Sequence, residues 1–265
     1  MKNRERIDVL LVSRGMVRSR EMARRQVMAG EVTVNGQVVD KPGTRVPVDA
    51  EITIKEMPRF VSRGGEKLAG ALEAFDVPVA GAICADVGAS TGGFTDCLLQ
   101  HGAARVYAID VGYGQLDYRL QKDERVVVMD RTNARHVERL PEPVSVVTID
   151  ASFISLRLLL PVVSSWLARP AHVIPLIKPQ FEAGKRDVGK GGVVRDAQVH
   201  RRVLLTVCEA AFEQGFTVQG LVASPIKGPS GNVEFLAWLT LGVDRMPSVE
   251  IAHMIEAALE QAAAL

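Results

Sequence analysis

The sequence predicts an α/β fold, with a mainly parallel sheet covered by helices on both faces and a small α+β unit at the N-terminus. From about residue 64 onward, apolar runs of strand length alternate with helical stretches, which is typical of a parallel sheet. The first 55 residues instead place two short helical patterns before three β-prone segments. The 265 residues, 47% hydrophobic and 24% charged, have the composition of a folded globular protein.

The change of pattern divides the chain into predicted segments. We expect an N-terminal domain over residues 1–56, a linker over 57–63, a larger domain over 64–245 and a C-terminal helix over 246–265. The linker is predicted because the residues around Pro58 have no clear period.

The N-terminal domain has clear local signals. Apolar residues around Leu10 recur at helical spacing, and Ser19 is a candidate cap for a second helix that ends near Gly30. Asn35-Gly36 lies between two β-prone runs, which is the strongest short hairpin signal, and a later strand is predicted at 52–54.

The same region is the basic part of the chain. Residues 1–65 hold 13 Lys+Arg against 8 Asp+Glu, whereas the remainder holds 19 against 23. On the second helix, arginines flank an apolar arc of Met22, Ala23 and Val27 that we expect to be buried. Such a face suits phosphate contact, although a well-solvated surface has the same composition.

These features, in the order Arg6-Ile-Asp-Val-Leu-Leu-Val-Ser-Arg-Gly15, Ser19-Arg-Glu-Met-Ala-Arg-Arg25 and Gly30-Glu-Val-Thr-Val-Asn-Gly36, resemble the S4 RNA-binding domain of ribosomal proteins and RNA-modifying enzymes. The resemblance implies an RNA partner; the alternative is a basic accessory domain that binds protein. The predicted RNA contacts here are Arg6, Arg18, Arg20, Arg24 and Arg25.

The larger domain is predicted to contain seven strands and four helices before the C-terminal helix. The strands are expected at 83–87, 106–109, 126–129, 144–149, 173–177, 218–222 and 234–241. The helices are expected at 67–75, 94–101, 156–166 and 199–214, and the C-terminal one at 248–265.

A glycine-rich loop, Asp86-Val-Gly-Ala-Ser-Thr-Gly-Gly-Phe94, follows the first of these strands, where α/β sheets bind ligands. It has neither the G-x-G-x-x-G spacing of a dinucleotide fold nor a lysine after its glycines, so a phosphate-free cationic ligand fits better. Asp110 and Asp130 end the next two strands, so three carboxylates would form a row suited to S-adenosylmethionine, although each could instead cap a helix. The predicted cofactor contacts are Asp86, Gly88, Ser90, Thr91, Gly92, Gly93, Phe94, Asp110 and Asp130.

Four charged residues are expected to converge at the same sheet edge. Lys67 lies on the helix before the first strand, and Asp150, Lys178 and Glu234 each adjoin an apolar strand. Charges in such places are costly to bury unless they are paired. The four residues therefore indicate either a catalytic cluster or a purely structural set of ion pairs.

Most of the chain resembles one family of RNA-modifying enzymes. From the linker onward it is similar to the FtsJ-type ribosomal RNA 2'-O-methyltransferases, and as a whole it resembles the haemolysin A (TlyA) family. The resemblance rests on Val61-Ser-Arg-Gly-Gly-Glu-Lys67, Gly88-Ala-Ser-Thr-Gly-Gly-Phe94, Asp110-Val-Gly-Tyr-Gly-Gln115, Asp130-Arg-Thr-Asn-Ala-Arg135 and Gly228-Pro-Ser-Gly-Asn-Val-Glu234.

The resemblance implies a Rossmann-like S-adenosylmethionine-dependent methyltransferase domain that modifies cytidine ribose in ribosomal RNA. The Lys-Asp-Lys-Glu tetrad of FtsJ-type enzymes maps onto Lys67, Asp150, Lys178 and Glu234, and their cofactor contacts map onto Gly92, Phe94, Asp110 and Asp130. Phe94 stands where tryptophan is common, which removes an indole N–H donor.

Lys178 is the residue that we predict to act on the ribose hydroxyl. Lysine is ordinarily protonated at neutral pH, so a role as base requires burial and a neighbouring cation such as Lys67. Asp150 and Glu234 are expected to orient its amine, and whether Lys178 takes the proton or only holds the hydroxyl is left open. Arg63, Lys185 and Arg186 are candidate RNA phosphate contacts near the site.

Other classes of function are weaker. A non-catalytic RNA-binding or ribosome-assembly factor would be favoured by a defective tetrad or a lost glycine loop, and both are intact. We expect no signal peptide and no membrane partner, which argues against a cytolysin. Scattered Cys84, Cys97 and Cys208 indicate neither a disulfide framework nor a metal site. We therefore expect a cytoplasmic enzyme that acts on ribosomal RNA or ribosomal subunits, in an oligomeric state that the sequence leaves open.

Overall fold

A computed structural model describes residues 3–55, 58–242 and 248–265. Its internal contacts divide the chain into two compact units, residues 1–58 and residues 59–265. Residues 59–63, which the sequence predicts as linker, belong to the second unit, where the Phe60 side chain is buried. The predicted boundaries at 56–57 and 245–246 lie outside the described residues.

The N-terminal unit contains two helices and five short strands within the residues described. In chain order these are β1 (Arg4–Arg6), α1 (Ile7–Ser13), α2 (Arg20–Met28), β2 (Val32–Val34), β3 (Gln37–Val38), β4 (Arg45–Pro47) and β5 (Ile52–Ile54). Strands β3, β2 and β5 form an antiparallel sheet in that order, and β1 pairs antiparallel with β4. The two predicted helices and the hairpin are present, whereas the β1–β4 pair was not predicted.

The local signals act as their chemistry predicts. The Ser19 hydroxyl accepts a hydrogen bond from the backbone N–H of Met22 and so caps α2. Asn35 and Gly36 have φ of 49° and 78°, the left-handed pair that a tight hairpin turn needs. The core of this unit is aliphatic, and Ile7 and Val27 in it are fully buried.

The second unit is built on one seven-stranded sheet. Its strands are β6 (Ile83–Val87), β7 (Arg105–Ile109), β8 (Val126–Met129), β9 (Val144–Ile149), β10 (Leu167–Ile177), β11 (Phe216–Ala223) and β12 (Phe235–Leu241). Its helices are α3 (Gly64–Ala74), α4 (Gly93–Gln100), α5 (Tyr118–Gln121), α6 (Leu156–Ser164), α7 (Pro179–Glu182), α8 (Ala197–Glu213) and α9 (Ser248–Ala263).

The strand order is β11-β12-β10-β9-β6-β7-β8. Strands β10, β9, β6, β7 and β8 are parallel to their neighbours in this series, and β12 runs antiparallel to both β10 and β11. The prediction of a mainly parallel sheet is confirmed. Because β12 is reversed, its first residue lies at the edge where the parallel strands end.

Both faces of the sheet are covered, as predicted. Along β6, Ala85 and Val87 join one apolar cluster and Cys84 joins the other, which is the alternation expected of a strand. Helices α3 and α4 pack on the Cys84 side, and α6, α8 and α9 pack on the opposite side. No helix in the described ranges is long and apolar enough to cross a bilayer.

Three strands are longer than predicted: β7 by one residue, β11 by three and β10 by six. Strand β10 begins at Leu167 rather than at Val173, and its pairing with β9 changes register between Leu167 and His172. The irregularity lets the strand pass Pro170, which has no backbone N–H for the ladder.

Candidate active site

The four residues of the predicted tetrad line one cavity of about 530 Å³ at the carboxyl edge of the parallel strands. Lys67 lies on α3, Asp150 follows β9 and Lys178 follows β10. Glu234 directly precedes β12, whose reversed direction brings its start to the same edge. Four elements that are distant in sequence therefore meet at one cavity.

The charges in this cavity form two separate ion pairs. Lys67 Nζ lies 2.5 Å from Glu234 Oε2, and Lys178 Nζ lies 2.6 Å from Asp150 Oδ1. The Glu234 side chain is 1% exposed and that of Asp150 is 22% exposed, so the second pair is the one open to a ligand. The expected contact of Asp150 with Lys178 is present, whereas Glu234 binds Lys67.

A further contact of Lys178 was not predicted. Its Nζ donates a hydrogen bond to Ser152 Oγ at 2.9 Å, and it lies 5.9 Å from the centre of the Phe181 ring. Ser152 lies in the turn that connects β9 to α6. Its position two residues after a strand-end aspartate was the available sequence signal.

The glycine-rich loop connects β6 to α4, as predicted. The backbone N–H groups of Gly88 and Ala89 both donate to the Ile109 carbonyl, and Gly88 has φ of +84°. A Cβ at Gly88 would lie 2.7 Å from the Asp150 carbonyl oxygen. Glycine is therefore required here to bring the loop against the turn that carries the tetrad aspartate.

A second cavity, of about 760 Å³, adjoins the first. Gly88, Ser90, Asp150 and Ser152 line both cavities, and Asp110 lines the second. The Asp110 carboxylate accepts hydrogen bonds from Ser90 N at 2.8 Å and from Gly112 N at 2.7 Å. Each oxygen thus has a fixed direction and retains a lone pair for a ligand hydroxyl.

Asp86 does not join the predicted row of carboxylates. It lies inside β6, where it pairs in register with Ala108, two residues short of Asp110. Its side chain is fully buried and accepts hydrogen bonds from the hydroxyls of Thr95 and Thr148, and burial raises the pKa of Asp86 to about 7. In this structure the Asp86 side chain is therefore part of the core next to the glycine-rich loop, and it lines neither of the two cavities.

The other predicted cofactor contacts divide into two groups. Gly88, Ser90, Gly93, Phe94 and Asp110 line one or both cavities.

Three others, Thr91, Gly92 and Asp130, are not among the residues that line the two cavities. Gly92 is the N-cap of α4 with φ of +97°, and Asp130 accepts a hydrogen bond from Gly114 N at 2.9 Å. These two therefore shape the loops around the cavities.

The predicted RNA contacts on the N-terminal unit are of two kinds. Arg6 and Arg20 each place Nε 3.0 Å from the fully buried Asp8 carboxylate, and their guanidinium groups lower the pKa of Asp8. Arg18, Arg24 and Arg25 are exposed, and the latter two line a groove along α2. The structure thus gives Arg6 and Arg20 a structural contact in addition to any contact with RNA.

One prediction about that helix was wrong. Met22 was expected in the buried arc, but its side chain lines the same groove and the residue is 36% exposed. Met28, which is 62% exposed, lines this groove as well. The buried face of α2 consists of Ala23, Gln26 and Val27.

Of the three cations predicted near the site, one lines the tetrad cavity and two do not. Arg63 lines the tetrad cavity, and its guanidinium donates to the Lys227 carbonyl at 2.8 Å. Lys185 and Arg186 are exposed on the segment after α7 and line neither cavity.

A sheet with one reversed strand among parallel ones, and a glycine-rich loop at the carboxyl edge beside a charged cavity, define a Rossmann-like methyltransferase fold. The model of the FtsJ-like methyltransferase family matches residues 60–241, and that of the S4 domain matches residues 5–52.

Three known proteins are similar over most of their length. The 16S/23S rRNA (cytidine-2'-O)-methyltransferase TlyA of Mycobacterium tuberculosis is 48% identical, and the match covers 94% of this chain and 95% of the relative. Hemolysin A of Brachyspira hyodysenteriae is 41% identical, and the match covers 88% of this chain and 98% of the relative. A solved structure of a hemolysin candidate from Streptococcus thermophilus has a TM-score of 0.73 at 43% identity and covers 98% of each chain. The chain belongs to the haemolysin A (TlyA) family of FtsJ-like methyltransferases.

Proposed function

We propose that this protein transfers a methyl group from S-adenosylmethionine to the 2'-hydroxyl of a cytidine in ribosomal RNA. The observation that carries the proposal is the position of Lys178, ion-paired with Asp150 in a cavity that borders the one holding Asp110. The substrate is supported by the printed activity of the Mycobacterium tuberculosis relative. A non-catalytic RNA-binding role has less support, because the tetrad and the glycine loop are both complete.

The residues around the second cavity fit S-adenosylmethionine. The fixed Asp110 carboxylate suits the two hydroxyls of a ribose, because each oxygen can accept one further hydrogen bond. Gly88 and Ser90 would lie against the part of the cofactor that passes between the two cavities, and Phe94 would supply an apolar wall. When bound, S-adenosylmethionine supplies a methyl group on a positively charged sulfur.

The acceptor hydroxyl would bind at Lys178. Its oxygen forms the new bond to the methyl carbon while the carbon–sulfur bond breaks and leaves its electron pair on sulfur. Lys178 Nζ is the protein group placed to hold this hydroxyl; in its neutral amine form it would receive the hydroxyl proton, and Asp150 would then balance the charge of the ammonium that forms. Holding the oxygen in line with the methyl group is the larger part of the catalysis, because positioning replaces an encounter in solution.

The ion pair between Lys67 and Glu234 has a supporting role. Lys67 and Glu234 neutralise each other, with the Glu234 side chain 1% exposed. They keep two charged groups at the wall of the cavity without a net charge that would repel the cationic cofactor.

Recognition of RNA is assigned to exposed cations. Arg63 in the tetrad cavity would contact a phosphate of the substrate, and Arg18, Arg24 and Arg25 would contact phosphates through the S4 domain. With such a substrate, the enzyme would act on ribosomal RNA or ribosomal subunits in the cytoplasm.

The test maps methyl groups in ribosomal RNA from cells with and without the gene by mass spectrometry. A 2'-O-methyl group blocks attack of that oxygen on the adjacent phosphate, so we expect a gap at one cytidine in an alkaline-hydrolysis ladder. Cells that carry only the Lys178→Ala variant serve as the matched control and should give a continuous ladder. A continuous ladder from RNA that is stoichiometrically radiolabelled by the wild-type enzyme would place the methyl group on a base and refute the proposal.

A further inference from the structure

Ser152 contacts the lysine that lies at the centre of the proposed chemistry. We propose that Ser152 is a positioning residue for methyl transfer, and that its hydroxyl fixes the direction of the Lys178 amine. The inference rests on the proposed function, because it assigns a role within that site. No residue of the tetrad supplies this contact.

The geometry of the amine gives the reason. Lys178 Nζ is tetrahedral, and three of its four directions are occupied by its own Cε, by Asp150 Oδ1 at 2.6 Å and by Ser152 Oγ at 2.9 Å. One direction remains for a ligand. With Asp150 alone, a flexible lysine side chain could swing about a single contact, whereas two contacts hold the nitrogen in place.

The location of Ser152 agrees with this role. Asp150 and Ser152 both line the tetrad cavity and the cavity of Asp110, so the two partners of Lys178 lie at the border between them. In the proposed reaction the methyl group crosses this border. The amine is therefore fixed where the acceptor oxygen and the methyl carbon must meet.

The turn that carries Ser152 is itself fixed. The Asp150 backbone N–H donates to the Val87 carbonyl at 2.8 Å, and a Cβ at Gly88 would lie 2.7 Å from the Asp150 carbonyl oxygen. The glycine loop thus holds the start of the turn. Ser152 is exposed, so its replacement opens no void in the core.

The test compares Ser152→Ala and Ser152→Thr in the full-length enzyme, with Ser164→Ala as the matched control. Ser164 lies on α6, donates to the Pro161 carbonyl and lines neither cavity. Methyl transfer from labelled S-adenosylmethionine to ribosomal RNA from a strain without the gene gives kcat and KM, and calorimetry gives the cofactor Kd.

We expect Ser152→Ala to lower kcat by about tenfold to a hundredfold, in the range that misplacement of a reacting group costs. The KM for RNA and the Kd for the cofactor should stay within about twofold, because the contact is made by Lys178 and not by either ligand. Ser152→Thr keeps the hydroxyl and should recover most of kcat, and Ser164→Ala should behave as the wild type.

Three results would overturn the inference while leaving the proposed function intact. These are a wild-type kcat for Ser152→Ala, a raised KM at unchanged kcat, or a Ser152→Thr variant as slow as Ser152→Ala. The position of the methyl group that the wild-type enzyme adds to the RNA is mapped in the same experiment. If its methyl group is absent from a ribose, the proposed function itself has failed, which is a separate outcome.

Discussion

The buried ion pair between Lys67 and Glu234 gives the sharpest prediction about stability. Replacing Lys67 by Met removes the cation 2.5 Å from Glu234, a carboxylate with 1% exposure. A buried charge that loses its partner costs about 3–5 kcal/mol, so Lys67→Met should lower the free energy of unfolding by that amount. The double variant Lys67→Met/Glu234→Gln removes both charges and should recover most of the loss.

Urea unfolding followed by tryptophan fluorescence measures this effect in the right part of the chain. The two tryptophans, Trp166 and Trp238, both lie in the unit of residues 59–265. If the pair is also required for methyl transfer, the stable double variant should remain inactive, which separates the structural role from the catalytic one. A loss below about 1 kcal/mol for Lys67→Met, or a double variant no more stable than the single one, would refute the reasoning.

Three other predictions follow from contacts in the structure. Lys178→Ala should abolish methyl transfer at unchanged cofactor affinity, and Asp110→Ala should weaken cofactor binding first. Calorimetry with S-adenosylmethionine and a methyl-transfer assay check both variants. A fully active Lys178→Ala variant would contradict the assignment of the tetrad as the catalytic site. Replacing exposed Arg24 and Arg25 by Ala should reduce the slope of log affinity against log salt by about 0.7 to 0.9 for each lost phosphate contact, as measured by RNA binding at several salt concentrations. The pKa of Asp86 is raised by burial from 3.8 to about 7, so the stability that its protonated form provides is lost as the pH rises through this range. Asp86→Asn should therefore flatten the fall in urea midpoint between about pH 4 and pH 7, and an unchanged pH dependence would contradict the assignment.

Three strands of the seven-stranded sheet were predictable from the sequence to the residue. The interior strands 83–87 and 144–149 match the apolar runs because parallel strands covered on both faces need continuous apolar sequence, and the edge strand 126–129 matches a run of valines. The β1–β4 pair was missed because these three-residue strands contain charged residues and a proline and show no alternation.

The site was predictable in its residues more than in its contacts. The sequence indicates that strand-end charges meet at one edge, and all four tetrad residues do line one cavity. The predicted strand 83–87 already places Asp86 before the end of the strand, but the sequence does not reveal that its carboxylate is fully buried and bonded to two threonine hydroxyls. Likewise, the ion pairs of Arg6 and Arg20 with Asp8 depend on tertiary contacts that a count of arginines does not reveal.

The interior position of β12 in the sheet has a consequence for how the protein opens. Strand β12 lies between β10 and β11, whereas β8 lies at the edge of the sheet with a neighbour on one side. Fluctuations that detach an edge strand need less free energy than those that remove an interior one. Hydrogen exchange should therefore be slower at Phe235, next to the partner of Lys67, than along β8. Transient opening should therefore loosen the side of the sheet next to Asp110 and Asp130 first, while the side that carries Lys178 and Glu234 stays assembled.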